Sequence, residues 1–364
     1  MTILYVTDAF AVWGGMERVL ADKMNYLLEQ YGYDVCLLTI NQGLHSIPFS
    51  LNPMIKHLNL NVRMHDQYEY SALRRVVKLC QLKSLLYKRL REALHEIDPD
   101  IIICAKLDFV GGLNKVRGNV PLVVESHTLC IADKFENSGW LRRLHVRRFK
   151  SNVRKTDVVV ALTEGDAKDW LNYHQNAVVI PNVVHLDDSE FKSNSSEKRI
   201  IFVGRYDKQK DFESLLRIWK LVYSCYPDWT LDIFSDGYVE VPGVRVFKPI
   251  SNIMDQYLNS SLLVLTSLYE PFGLVLPEAM SCGLPVVAFD CPYGPSEILT
   301  DGVDGFLVKN RDINEFADRV CQLIQDKELR VRMGQAGIKS SQRYRADLIM
   351  PKWKDLFERL CQKE

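Results

Sequence analysis

Short apolar runs recur along the whole chain, with stretches of helical periodicity between them. In the first half the runs are 3–6, 35–40, 101–104, 122–124, 158–162 and 178–180; in the second they are 199–203, 231–234, 244–247, 262–265 and 286–289. Continuously apolar strands separated by helices build a parallel sheet covered on both faces. Two such series predict an α/β protein with two Rossmann-like domains. Between them, residues 181–198 carry Asp187, Asp188, Ser189, Ser193, Asn194, Ser195 and Ser196 and show neither periodicity, so the interdomain connection is expected there. Helical patterns close the chain at 313–324, 329–340 and 348–360, with a break at 344–351 between the last two.

Size and composition narrow the class. A chain of 364 residues accommodates two cores, and 46 Lys plus Arg balance 46 Asp plus Glu, so no overall field directs it to nucleic acid. Nine cysteines are scattered without the spacing of a zinc site, and an odd count without a secretory leader points to reduced thiols in the cytoplasm. The opening Met1-Thr2-Ile3-Leu4-Tyr5-Val6 reads as a buried strand rather than a leader. No run approaches the ~18 apolar residues of a membrane span, so the reading is a soluble protein or one peripheral to a membrane.

The basic residues are clustered all the same. Residues 74–91 run from Arg74 and Arg75 through Lys78, Lys83, Lys88 and Arg89 to Arg91, interleaved with Val and Leu and free of acids. Residues 142–155 repeat the arrangement from Arg142 and Arg143 through His145, Arg147, Arg148 and Lys150 to Arg154 and Lys155. Either stretch alone reads as a solvated helix face; two in a neutral protein favour a surface for anionic lipid or a polyanionic acceptor.

The richest chemistry lies at Ser267-Leu268-Tyr269-Glu270-Pro271-Phe272-Gly273-Leu274-Val275-Leu276-Pro277-Glu278, between an apolar strand and a short helical pattern that Gly283 stops. Pro277 suits a first helical position and Glu278 the positive end of a helix. Helix starts bind anions, Gly273 lets a ligand approach the backbone, and glutamates beside such a cradle accept hydrogen bonds from sugar or ribose hydroxyls. The alternative is a capping Glu278 with an exposed Glu270. Gly14 and Gly15 follow the first strand, where open α/β sheets bind ligands, although a tight turn uses glycines too. Gly204-Arg205-Tyr206-Asp207-Lys208-Gln209-Lys210 follows the first strand of the second series; Arg205 and Lys210 there offer a fixed guanidinium and a flexible ammonium suited to a diphosphate. His127 ends the strand at 122–124, and Asp236-Gly237 reads as a turn.

The segment from Ser267 to Glu278 resembles the E-x7-E signature of the retaining GT-B glycosyltransferases of family 4, which transfer sugars from nucleotide diphosphates. Gly14-Gly15-Met16-Glu17-Arg18 is similar to their N-terminal glycine loop, Gly204-Arg205 to Lys210 to their G-R-x4-K diphosphate site, and 291–308 to a further segment of bacterial members. Asp211 stands where the family usually has glycine. The resemblance implies two domains facing across a cleft, residues 1–182 plus 346–364 and residues 183–345. It implies a UDP-sugar donor held without metal or other cofactor by Gly14, Gly15, Arg205, Lys210, Glu270, Phe272, Gly273, Leu274 and Glu278. It also implies that His127 and Glu270 lie beside the transferred sugar, and that the acceptor is a saccharide or lipid-linked saccharide at the inner face of the cell membrane. A UDP-sugar epimerase of the same fold would leave the basic stretches without a role; a phosphorylase would bring pyridoxal phosphate, for which there is no motif. An inactive nucleotide-sugar-binding protein is the other alternative, and a turnover assay separates it.

Overall fold

The structure, a computed structural model, describes residues 1–11, 13–131, 140–186, 192–193, 196–250 and 252–362, with backbone alone for Ala72 and residues 140–145. Of the polar connection expected at 181–198, Asp187, Asp188, Ser189, Asn194 and Ser195 lie outside the described residues. Two compact units emerge: Met1–Leu162 with Asp166–Ile180 and Ile349–Glu364, and Thr163–Gly165 with Pro181–Leu348.

The first unit holds a parallel seven-stranded sheet: β1 (Thr2–Thr7), β2 (Asp34–Thr39), β3 (Lys56–Asn59), β4 (Ile101–Cys104), β5 (Leu122–Glu125), β6 (Val158–Ala161) and β7 (Ala177–Val179). Their order is β3-β2-β1-β4-β5-β6-β7, so the direction of winding reverses between β1 and β4. Helices α1 (Gly15–Tyr31), α2 (Ala72–Ile97), α3 (Leu107–Val116), α4 (Trp140–Val153) and α5 (Glu164–Leu171) alternate with the strands. Strands such as β4 and β5 are buried at every residue, as a sheet covered on both faces requires. Leu82, Leu86 and Leu90 of α2 follow one another at helical spacing and pack with Leu4, Val6, Leu38 and Ile102 in one core.

The second unit repeats the plan with β8 (Arg199–Val203), β9 (Thr230–Phe234), β10 (Val244–Phe247), β11 (Leu262–Leu265), β12 (Val286–Asp290) and β13 (Gly305–Lys309) in the order β10-β9-β8-β11-β12-β13. Its helices are α6 (Phe212–Cys225), α7 (Met254–Leu258), α8 (Val275–Ser281), α9 (Gly294–Ile298), α10 (Ile313–Gln325) and α11 (Lys327–Ser341). The last helix, α12 (Ala346–Cys361), belongs from Ile349 onward to the first unit.

The structure departs from the local sequence pattern at three points. The edge strand β3 has the sequence KHLN and no fully buried residue, so it carries no apolar run. Gly305 closes the turn-like stretch Asp301-Gly302-Val303-Asp304-Gly305, yet it begins β13, and a Cβ there would stand 2.6 Å from the Val286 carbonyl oxygen. Pro351 does not break the chain: α12 runs through it, and the interruption falls at Gln342–Tyr344 with extended Arg345. Proline removes one N–H from the ladder, and the buried Ile349, Met350, Trp353 and Phe357 hold the helix in place regardless.

Candidate active site

In the second unit the site grows from the reversal point of the sheet. β8 and β11 are neighbours there, and the loops that leave them carry the two groups of predicted residues. The loops are tied together: the Leu268 amide donates to the Gln209 carbonyl at 2.8 Å, the Gln209 amide to the Tyr269 carbonyl at 2.9 Å and the Thr266 hydroxyl to the Lys210 carbonyl at 2.9 Å.

After β8 the chain makes one short 3-10 turn at Lys208–Lys210, capped by Asp207, whose carboxylate accepts from the Lys210 amide at 3.1 Å. Asp211 then adopts the left-handed backbone (φ 46°) that glycine takes most easily. Its carboxylate caps α6 through the Ser214 amide at 3.3 Å and the Ser214 hydroxyl at 2.7 Å, bonds a glycine would lack. Gly204 leaves room for the Lys210 stem, to which a Cβ there would stand 3.1 Å away. Lys210 reaches over this gap and its ammonium pairs with the Glu270 carboxylate. Arg205 is largely exposed, 3.4 Å from Asp207, in a surface pair too weak to hold it against an arriving anion.

After β11 Glu270 is buried and also accepts from the Ser267 hydroxyl at 2.7 Å. Its backbone is clamped by the 292–294 turn: its amide donates to the Pro292 carbonyl at 2.7 Å, and its carbonyl accepts from the Tyr293 and Gly294 amides at 2.9 Å each. Gly294 makes the clamp possible, since a Cβ there would lie 1.8 Å from the Phe272 carbonyl oxygen. Phe272 is buried with its ring edge-on to Tyr344 at 5.2 Å, and Gly273 turns the chain at φ 92°. Helix α8 begins at Val275, so Pro277 is its third residue rather than its first, still within the turn whose N–H groups have no helical partner. Glu278 is buried and receives the Tyr257 hydroxyl at 3.3 Å. Asp236 proves to be more than a turn residue: it accepts from the Tyr206 amide at 2.7 Å, a bond that holds its carboxyl below the usual range.

In the first unit Gly14 caps the start of α1 with extended backbone, and a Cβ there would collide with the Glu17 carboxylate at 2.1 Å. Gly15 opens the helix, exposed to solvent. His127 stands two residues beyond β5 with Nε2 3.2 Å from Glu125 Oε1. Glu125 takes both its oxygens to the Lys23 ammonium at 2.7 Å, and each side chain of that pair is 1% exposed. Burial alone would raise the Glu125 carboxyl; the Lys23 charge, with His127, outweighs it and holds the group down at about 2. Lys23 in turn lies 3.6 Å from the centroid of the Trp353 ring. Sequence reading missed Lys23 and Trp353. The signal was present: Lys23 falls on the buried stripe of α1 with Leu20, Met24 and Leu27, where a cation needs a partner.

Two parallel α/β units, the second with paired loops at its reversal point, are the architecture of a GT-B glycosyltransferase. The comparisons agree. Residues 13–188 match the model described as Glycosyltransferase Family 4, and residues 197–326 match that of Glycosyl transferases group 1. The chain belongs to this glycosyltransferase family. It is 27% identical to the amylovoran biosynthesis glycosyltransferase AmsD of Erwinia amylovora, over 97% of this chain and 99% of that one. Among solved structures it resembles a TarM variant of S. aureus in complex with fondaparinux, α-GlcNAc-glycerol and UDP (TM-score 0.79, 16% identity, 98% of this chain and 99% of the other). It also resembles HepE of Anabaena in complex with UDP and glucose (TM-score 0.76, 17% identity, 98% and 99%).

Proposed function

We propose that the protein is a retaining glycosyltransferase that moves a hexose or N-acetylhexosamine from a UDP-sugar to a cell-surface glycan or lipid-linked saccharide, without a metal. The observation that carries this reading is the Lys210–Glu270 pair, a cation for phosphate and a carboxylate for hydroxyls joined at the reversal point of the second sheet. The names of AmsD and the UDP and glucose bound in HepE support it.

Arg205 and Lys210 hold the diphosphate, with the backbone at Phe272, Gly273 and Leu274. Glu278 receives the ribose hydroxyls and Glu270 those of the sugar. As the bond from the anomeric carbon to the phosphate oxygen lengthens, charge gathers on the leaving diphosphate, and the two cations stabilise it more than they stabilise the bound donor. The acceptor oxygen bonds to the anomeric carbon on the face the diphosphate leaves, and its proton passes to the departing phosphate oxygen. Gly14, Gly15 and His127 keep the roles implied by the resemblance, His127 beside the sugar.

The first two and a half turns of α2 expose Leu73 (85%), Val76 (60%) and Val77 (59%) among Arg74, Arg75 and Lys78, which suits peripheral association with the anionic inner face of a cell membrane. In and just after α4, Lys150 lies over the Tyr173 ring at 4.2 Å and Arg154 donates to the Tyr173 carbonyl at 3.1 Å, while Arg147, Arg148 and Lys155 are exposed; the side chains of Arg142, Arg143 and His145 lie outside the described residues.

The test is saturation-transfer NMR with UDP-, GDP- and ADP-sugars in EDTA, on wild type and Lys210→Ala. Selective binding of one UDP-sugar that the variant loses, followed by turnover with a saccharide acceptor, is the expected result. Binding of none of them overturns the reading.

A further inference from the structure

The core of the first unit contains a charged assembly of a kind that stability does not generally demand. Lys23 of α1 and Glu125 at the end of β5 are each 1% exposed and joined by two 2.7 Å bonds. Trp353 of α12 covers the ammonium at 3.6 Å, and the Tyr5 ring of β1 lies 5.7 Å from it. Burying two ions costs about as much as their attraction returns, and apolar residues of the same volume commonly serve stability as well or better. The surroundings are no ordinary core either: Tyr5 Oη, Trp353 Nε1 and His127 Nε2 are buried without a hydrogen-bond partner among the described residues.

A use for this charge is visible in the assembly's third member. His127 Nε2 is 3.2 Å from Glu125 Oε1, close enough for attraction but off the line of a well-formed hydrogen bond. An anion fixed at that distance favours a proton on Nε2 and leaves Nδ1 as the nitrogen offered to a ligand, because the partner of one ring nitrogen decides the role of the other. Contacts of this kind are often misaligned in a ligand-free site and tighten when it fills.

We infer that Lys23 and Glu125 are a positioning pair: Glu125 sets the tautomer and orientation of the His127 ring, Lys23 holds Glu125 in place, and Trp353 seals the assembly from the C-terminal helix. The inference rests on the proposed sugar-side role of His127 and adds three residues to it. It also gives α12 a part in the site, so that a helix far along the sequence sets the geometry of a loop after β5.

The experiment is the charge-neutral double variant Lys23→Met/Glu125→Gln. It removes both ions together and so avoids stranding one of them. Two readouts are used: ring 15N NMR of the histidine-labelled full chain, with His127 assigned by the His127→Gln spectrum, and steady-state turnover of whichever wild type selects among UDP-glucose, UDP-galactose and UDP-N-acetylglucosamine. We expect a melting temperature close to wild type, a changed His127 tautomer pattern, and kcat lower by about tenfold or more with little change in KM for the donor. In a His127→Ala background the double substitution adds nothing further. Unchanged His127 resonances, or a loss of kcat that persists undiminished in the His127→Ala background, overturns the inference. Should the double variant fail to fold, Glu125→Asp keeps the charge and shortens its reach; displaced His127 resonances support the pair and unmoved ones refute it. The NMR arm needs no turnover, so a wild type inactive on every donor sinks the transferase reading while leaving the positioning pair tested.

Discussion

The Glu270 carboxylate accepts from two groups at once, the Lys210 ammonium and, at 2.7 Å, the Ser267 hydroxyl. A diphosphate that recruits Lys210 must therefore compete with Glu270. Lys210→Met is expected to weaken UDP binding about a hundredfold through loss of a charge-assisted contact, as read by calorimetry. Glu270→Gln is expected to bind UDP severalfold more tightly than wild type, since the ammonium is released, and yet to lose transfer because the sugar hydroxyls lose their acceptor. Weaker UDP binding in Glu270→Gln would mean that the pair does not compete with the donor.

Gly294→Ala tests the clamp on Glu270. With a Cβ only 1.8 Å from the Phe272 carbonyl oxygen, the loop or α9 must move. The expected cost is about 3 kcal/mol in urea unfolding, with donor binding impaired as well. A variant as stable as wild type would show that this contact yields freely.

Asp211 separates backbone strain from capping. Asp211→Gly keeps the left-handed conformation and loses the side-chain bonds to Ser214 and the exposed 3.8 Å pair with Arg311, a change of a few tenths of a kcal/mol; Asp211→Ala adds the backbone strain to those losses and is expected to cost about 2 kcal/mol. Equal stability of the two variants would assign the whole effect to the cap.

The Glu125 carboxyl is held at about 2, below the 4.5 of an unpaired glutamate. A folded-state value below the unfolded one contributes stability above pH 4.5 that is lost as pH falls toward 2. For this group alone linkage gives about 3 kcal/mol across that window. The difference in acid-unfolding slope between wild type and Lys23→Met/Glu125→Gln isolates it. Parallel slopes would mean the carboxyl is not held down.

The proposed membrane contact lies at the start of α2, where Tyr70, Leu73, Arg74, Val77, Lys78 and Gln81 line an open groove of about 380 Å³. Leu73→Ser/Val77→Ser is expected to abolish sedimentation with phosphatidylglycerol vesicles, and Arg74→Glu to reduce it roughly fivefold or more, at about 1 kcal/mol per basic residue. Binding that survives both would move the contact elsewhere.

Much of this was open to sequence reading, for a definite reason. Strands of a covered parallel sheet are largely apolar runs, and eleven of the thirteen were visible in the sequence; the edge strand β3 was not, because its polar side chains remain half in water, nor was β13, which opens on a glycine. Glu270, Glu278, Arg205 and Lys210 were legible because their spacing within short loops belongs to the local chain. That Lys210 and Glu270 pair with each other was not, since they are held by two strands whose adjacency is a property of the sheet order.

The chain by itself determined the two α/β series, the loops that carry chemistry and the family to which they belong, because periodicity and short motifs act over a few residues. Tertiary structure alone decided which distant residues meet. Lys23, Glu125 and Trp353 come from α1, β5 and α12, and only packing brings the last two within 4 Å of the Lys23 ammonium, because a buried charge must find its partner wherever the fold places one. Gly294 likewise looks like any turn glycine until the Phe272 carbonyl stands where its side chain would be.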